Sequence, residues 1–417
     1  MNVHVSSDYD SRTEMEMLVS TRKNIMGCQA SKPNLCIVQD ALLGAYLMTK
    51  DDSKIPQETF FNICMRGDGW TPKFILDKIQ HIRRVQKELG KPILALNGKG
   101  LISMMLPEDF LYERKNEAHP TQPIVKIYKG VLIEGALNKA NLGPSHNSLL
   151  QVLWKEYGED ICMDFINNIQ FITVEWILYN GFSIGISDCI ATKGEEIRQI
   201  VFNNFKEAKR IQTSIQHPKI KEARVKNALD NGKAVGMKIA KEAMDPENGF
   251  IATVTSGSKG DYFNISQITG LLGQQNLTGQ RIQPVLNKGK RTLPHYAFEE
   301  FDVEREFESR GFIKSSFMQG LTPQEYWFHS MSGREGVSDT AMKTANSGYV
   351  QRKMIKILED VQIRYDGTVR NTSGSIFQWA YGDDDYDRSS TIHKGGKAEM
   401  MDVERLANKL NLNFEAK

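Results

Sequence analysis

Residues 320–360 read GLTPQEYWFHSMSGREGVSDTAMKTANSGYVQRKMIKILED. Thr322 stands where a helix N-cap belongs, Pro323 takes the first helical position, and Glu325 follows at the spacing of a capping box. From there the pattern is helical to Leu358, about 36 residues or about 54 Å at 1.5 Å per residue. That is long for a globular helix. Gly333, Gly336 and Gly348 lie inside it, each less favourable than alanine by about 1 kcal/mol. A long helix seeded with glycine is built to bend or to let another body come very close. Thr340, Ala341, Thr344, Ala345, Ser347 and Gly348 make a small-residue face, and Arg334, Lys343, Arg352 and Lys353 add positive charge. Either this is a buried central helix packed tightly through small residues, or its small face lets something come very close.

The segment upstream, 253–282, reads TVTSGSKGDYFNISQITGLLGQQNLTGQRI. Ser256-Gly257-Ser258-Lys259-Gly260 has the composition of an anion-binding loop, since glycine lets backbone N–H groups approach an anion and lysine neutralises it. It lacks the Walker spacing, and a plain turn is the better account of these residues alone. Asn264, Gln267, Gln274, Gln275 and Asn276 interleave with Phe263, Ile265, Leu271 and Leu272. Such mixing implies a buried polar network or a surface that grips something polar.

Further out, residues 192–244 hold 12 Lys/Arg against 6 Asp/Glu and read as two antiparallel helices split at Pro218. A solvated helical face accounts for that charge; the alternative is a positive rim that attracts nucleotides or an acidic partner. Apolar spacing predicts a short buried helix near 37–47 and a helix over 73–89 stopped by Gly90. Segments 92–96, 101–106 and 124–128 read as strands, the last continuing through Lys129-Gly130 into a hairpin with 131–133.

The 417 residues suffice for two to four modules. Lys+Arg 53 against Asp+Glu 51 leaves a net charge of +2, which excludes a strongly basic nucleic-acid tail and an acidic solvating protein. The five cysteines form no CxxC pair, which argues against a disulfide scaffold and a zinc ribbon. The polar start is no signal peptide, and the most apolar stretch, 161–191, is broken by Asp164, Asn167, Asn168, Gln170 and Glu175, so no membrane span is expected. The acidic runs Asp8-Tyr9-Asp10 and Asp383-Asp384-Asp385-Tyr386-Asp387 suggest Mg²⁺ carboxylates but have no rigid frame or obvious third ligand, and read as solvated loops.

The 320–360 block resembles the bridge helix of the largest subunit of multisubunit DNA-directed RNA polymerases, polymerase II type. GSKGDYFNISQITGLLGQQNLTGQRI (257–282), RTLPHY (291–296), NGFSIGISDCIA (180–191) and KPNLCIVQDALLG (32–44) are similar to that subunit's funnel and pore segments, in the same order. The pore divergence and Asn346-Ser347 suggest a lineage distant from cellular polymerase II, such as a large DNA virus. The resemblance implies an α+β multidomain chain. Its expected parts are the end of an active-site module (1–30), a strand-rich pore module (31–185), a funnel module with a helical hairpin (186–320), the bridge helix (321–358) and the start of a cleft module (359–417).

The chemistry so implied is nucleotidyl transfer, with Mg²⁺ held by an NADFDGD motif expected just before Met1 and so outside this chain. Lys259 matches the family's funnel-side lysine near the triphosphate. Thr344 and Ala345 match residues lying against the template base pair at the insertion position; Tyr349 and Arg352 match neighbours facing template DNA, with Thr340 and Lys343 on the same stretch. The implied partners are template DNA and the RNA–DNA hybrid, nucleoside triphosphates, the second-largest and other polymerase subunits, and a cleavage factor at the funnel, with no membrane. The compartment stays open between the nucleus and, for a viral lineage, host cytoplasm or virion. A function from another class is a degenerate or stand-alone fragment that binds an acidic partner or nucleic acid.

Overall fold

The computed structural model describes residues 3–50, 53–90, 95–115, 124–190, 194–243, 247–297, 302–394 and 397–415. It is a mixed α+β chain in two compact units: Met1–Ser183 with Ala252–Lys259 and Tyr386–Lys417, and Ile184–Ile251 with Gly260–Asp385.

The first unit is built on one apolar core that includes Phe60, Ile82, Leu101, Leu132, Phe165 and Ile169. The helix expected near 37–47 spans Gln39–Thr49 and is buried over most of its length. Thr49 ends it inside the core, its Oγ1 donating to the Ala45 carbonyl (2.6 Å) and accepting the Leu137 N–H (2.9 Å). The helix expected over 73–89 spans Pro72–Leu89, capped by Thr71 and closed by Gly90 in the left-handed conformation. Its buried residues Ile75, Ile79, Ile82 and Val85 keep helical spacing. Val125–Tyr128 and Val131–Glu134 form the expected antiparallel hairpin, and Tyr112–Arg114 pairs on its other edge.

The strand expected at 101–106 is instead the end of a helix, Gly98–Met104. Every residue of that helix is buried, so its apolar run carries no alternation to betray the period. Asn97 caps it through the Gly100 N–H (2.8 Å). Of the strand expected at 92–96, residues 92–94 lie outside the described residues.

In the second unit, Gly194–Ser214 and Pro218–Ala243 form the helical hairpin that Pro218 announces. Val201, Phe205, Ala208, Val225 and Leu229 close its seam over Phe307 and Phe312. The capping box at Thr322 opens a continuous helix, Pro323–Leu358, of 36 residues. A three-stranded antiparallel sheet (Gln362–Ile363, Val369–Arg370, Ile376–Gln378) follows it.

Among the described residues no helix is long and apolar enough to cross a membrane. All five cysteines are free thiols. Burial pushes the Cys64 and Cys162 thiols up to about 12, which leaves them unreactive.

Candidate nucleic-acid interface

Among the described residues, the hydrogen bonds that hold the long helix to the rest of its unit lie between Thr322 and Glu335. Thr322 Oγ1 accepts the Glu325 N–H (3.3 Å), and the Glu325 carboxylate accepts the Thr322 N–H (2.9 Å). The other Glu325 oxygen reaches further, taking the Ser315 hydroxyl (3.1 Å) and the Lys314 N–H (3.2 Å). Phe328 is buried beneath the Tyr296 ring. Beyond it, Ser332 donates to the Asn276 carbonyl (3.2 Å), and Glu335 accepts the Thr278 N–H (2.6 Å).

The amide-rich segment is therefore the seat of this helix. Gln274 and Gln275 are buried, and Gln274 Nε2 donates to the Gln275 and Arg310 carbonyls (2.8 and 2.9 Å). Asn264 is exposed and Gln267 and Asn276 are half-buried, so of the two readings left open by the sequence the buried one holds for Gln274 and Gln275 alone.

From Gly336 to Leu358 every residue is exposed. Nothing lies within 4 Å of where a Cβ would stand on Gly333, Gly336 or Gly348. The reading of a buried central helix, packed by its small residues, does not hold for this half. Thr340, Lys343, Thr344, Ala345, Tyr349 and Arg352 all lie on it and are all exposed. The Thr340 and Thr344 hydroxyls donate back to the carbonyls of Gly336 (2.8 Å) and Thr340 (2.7 Å). With those hydrogens engaged, the small face shows mainly methyl groups and backbone.

Arg334 and Arg352 are 18 residues apart, five full turns at 100° per residue, so they share one line along the helix about 27 Å apart. Ala341, Ala345 and Gly348 fall within about 40° of that line. Neither arginine has a hydrogen-bond or ion-pair partner among the described residues. Lys343 is paired with Asp339 one turn back, and the Lys353 ammonium lies 4.0 Å from the Tyr349 ring centroid. The resulting stripe is narrow and built of small residues, Ser338 among them, with a free guanidinium at each end, and guanidinium groups bind phosphates bidentately. Arg334 was absent from the residues the family resemblance singled out; its 18-residue spacing from Arg352 was the available signal.

The open space at Gly348 has a measurable consequence. Gly348→Ala is expected to stabilise the free chain by up to about 1 kcal/mol, read as a raised midpoint in urea unfolding. If the same change slows synthesis in an assembled polymerase, the space is used by a partner.

Lys259 belongs to the first unit. The helix Gly249–Ser256 ends there, and the N–H groups of Gly257 and Ser258 turn back to the carbonyls of Val254 (3.0 Å) and Thr253 (3.1 Å). Gly257 has φ +76°, and a Cβ on it would stand 2.5 Å from Lys139 Cβ. The glycine thus closes a helix against its neighbour. No backbone nest faces outward, so any phosphate contact falls to the exposed Lys259 ammonium itself.

The acidic runs are local caps. Asp8 caps Tyr9–Glu14, accepting the Ser11 hydroxyl (3.0 Å) and N–H (3.4 Å), and these bonds hold its carboxyl below the usual range. Asp385 accepts the Tyr381 N–H (2.9 Å), and Asp387 caps Arg388–Ser390.

Three family models match in succession along the chain: RNA polymerase Rpb1 domain 3 over residues 24–189, domain 4 over 202–313, and domain 5 over 320–403. The chain belongs to the Rpb1 family of largest RNA polymerase subunits. It is 44% identical to a protein described as a probable DNA-directed RNA polymerase II subunit RPB1 homolog from Invertebrate iridescent virus 6. That alignment takes in the whole of this chain and 42% of the viral protein. The chain thus spans less than half the length of this curated relative. The Rpb1 domain 5 match takes in the entire long helix.

Proposed function

We propose that this chain supplies walls of the nucleotidyl-transfer site of a DNA-dependent RNA polymerase. The reading assigns the template-facing surface to the helix Pro323–Leu358 and a triphosphate contact to Lys259. One observation carries it: an exposed helical half whose small stripe is bracketed by Arg334 and Arg352, neither of them paired among the described residues. A base pair is flat and apolar on its faces and anionic along its backbone, which suits such a stripe. Thr344 and Ala345 would lie against the base pair at the insertion position, Tyr349 and Arg352 beside the template strand, and Thr340 and Lys343 along the same track. The pore, funnel, bridge-helix and cleft divisions given from the sequence are part of this proposal. So are its partners: template and hybrid, nucleoside triphosphates, the second-largest subunit and a cleavage factor at the hairpin.

When bound, Mg²⁺ supplies charge stabilisation for the attacking and leaving oxygens. The described residues do not make a site for it. Among them no three His, Cys, Asp or Glu groups converge to hold a metal ion, and Asp8 already caps a helix. No step is therefore assigned to a metal on this chain.

Two results follow. Primer extension by the chain alone should be undetectable; extension that is abolished by Asp8→Ala with Asp10→Ala would place the metal site here and overturn the assignment. In an assembled polymerase, Lys259→Ala should raise the nucleotide KM by roughly five- to 150-fold, equivalent to about 1–3 kcal/mol for a charge-assisted contact. DNA affinity should change little. Unchanged kinetics with lowered folding stability would make Lys259 structural.

A further inference from the structure

The chain returns to the first unit at Tyr386, and residues 386–394 and 397–411 are tied to that unit largely through their backbone. Ser31 Oγ donates to the Arg388 carbonyl (2.5 Å), Gln151 Nε2 to the Thr391 carbonyl (3.1 Å) and Asn147 Nδ2 to the His393 carbonyl (2.5 Å). Lys155 Nζ donates to the carbonyls of Ser390 and Met400 (2.6 Å each). The Glu156 carboxylate takes Arg405 Nε (2.5 Å) and Lys409 Nζ (3.2 Å). Carbonyls do not titrate, and carboxylate, lysine and arginine groups of this kind keep their charges between about pH 5 and 8. These bonds give the seam no pH response in that range.

One contact in the seam differs. The His146 ring stacks on the His393 ring, with 3.8 Å between centroids and 32° between planes. Nδ1 of each ring is buried with no hydrogen-bond partner. A neutral imidazole can leave one nitrogen as a bare acceptor, but an imidazolium is a donor at both. Protonation would therefore set a buried, charged N–H without an acceptor on each ring, and two like charges face to face. Lys32 and Arg114 add further positive charge at His146. They line a cavity of about 910 Å³ beside the rings, together with Lys115 and Arg405 and the carboxylates of Glu113 and Asp402. Glu113 stands 3.9 Å from Lys126, and Asp402 accepts the Arg405 N–H (3.2 Å). Burial first, then the charges of His393 and Lys32, pull His146 below its ordinary value, against the opposing Ser31 carbonyl.

We propose that His146 and His393 form a proton-sensitive clasp, which holds this returning segment on the first unit while both rings are neutral and loosens it when they take up protons. Linkage sets the direction. A histidine released from the contact titrates near pH 6.5, and one within it resists protonation, so the clasp is complete above about pH 7.5 and weakens as pH falls below about 6.5. A ring wholly barred from protonation shifts the docking equilibrium by about tenfold at pH 5.5, and two such rings by about a hundredfold. The clasp is a property of this chain by itself, whatever the chain assembles with.

Amide hydrogen exchange of the full chain, followed by mass spectrometry at pH 7.5, 6.5 and 5.5 and corrected for intrinsic rates, tests it. Protection of the returning segment is expected to fall tenfold or more between pH 7.5 and 5.5, while the helix Gln39–Thr49 of the same unit changes less than twofold. Phenylalanine keeps a ring in the stack and cannot take a proton, so His146→Phe with His393→Phe should reduce the fall to less than twofold. If that double variant does not fold, either single phenylalanine variant is expected to cut the fall at least threefold. His295→Gln, which removes an exposed histidine from the second unit, should leave the fall unchanged. A fall that survives in the phenylalanine variants, equal falls in the segment and in Gln39–Thr49, or no fall at all would each overturn the clasp.

Discussion

Replacing Ala345 with leucine is expected to slow RNA synthesis by an assembled polymerase at least tenfold while leaving the stability of the chain unchanged. A tenfold effect is about 1.4 kcal/mol on the barrier, modest for a branched side chain thrust into a stacking surface. The structure sharpens this test. Were Ala345 in a core, leucine would overpack it and lower stability by about 1–3 kcal/mol. Ala345 is exposed, and leucine is nearly as good a helix former as alanine, so the free chain should change by only a few tenths of a kcal/mol. Any kinetic loss then reports on what meets the helix in the assembly. Asn346→Leu adds similar bulk about 100° round the helix from Ala345 and should leave synthesis within about twofold. Normal elongation by the Ala345→Leu enzyme would remove the proposed base-pair contact.

Why the helix was legible and its surroundings were not has a physical basis. Its start is written in four consecutive residues, Thr322 to Glu325, because a capping box is a local bond pattern. Its length follows from periodicity. Burial does not, since small residues serve equally to pack a chain's own core or to admit a partner. Only the coordinates show that residues 336–358 are bare. The same limit explains Gly98–Met104, where burial on every side erased the period that separates helix from strand. The histidine pair was illegible for another reason. His146 and His393 meet from distant parts of the chain, and no spacing in the sequence announces them. The GSKG loop errs in the opposite direction: its composition suggests a phosphate nest, yet its N–H groups close a helix.

Glu325→Ala is expected to destabilise the second unit by about 2–4 kcal/mol. The capping box alone accounts for about 1 kcal/mol. The rest comes from groups left behind: the N–H of Lys314 and the hydroxyl of Ser315 lose a buried acceptor, and an unmet buried donor costs about 1–3 kcal/mol. Against a typical total stability of about 5–15 kcal/mol, that is a large fraction. Glu325→Gln should fall between, because an amide oxygen can still serve Lys314 and Ser315 while its NH₂ faces the Thr322 N–H. Urea unfolding gives the magnitude, and amide exchange gives the place. Protection should fall first from Tyr326 through His329, then spread along a helix that has no other anchor beyond Glu335 within the chain's described residues. A loss below about 0.5 kcal/mol would mean that Phe328 and the amide seat hold the helix unaided. The larger loss would tie the stiffness of the exposed half to one buried carboxylate at its root, so that Glu325→Ala slows synthesis without touching the proposed template contacts.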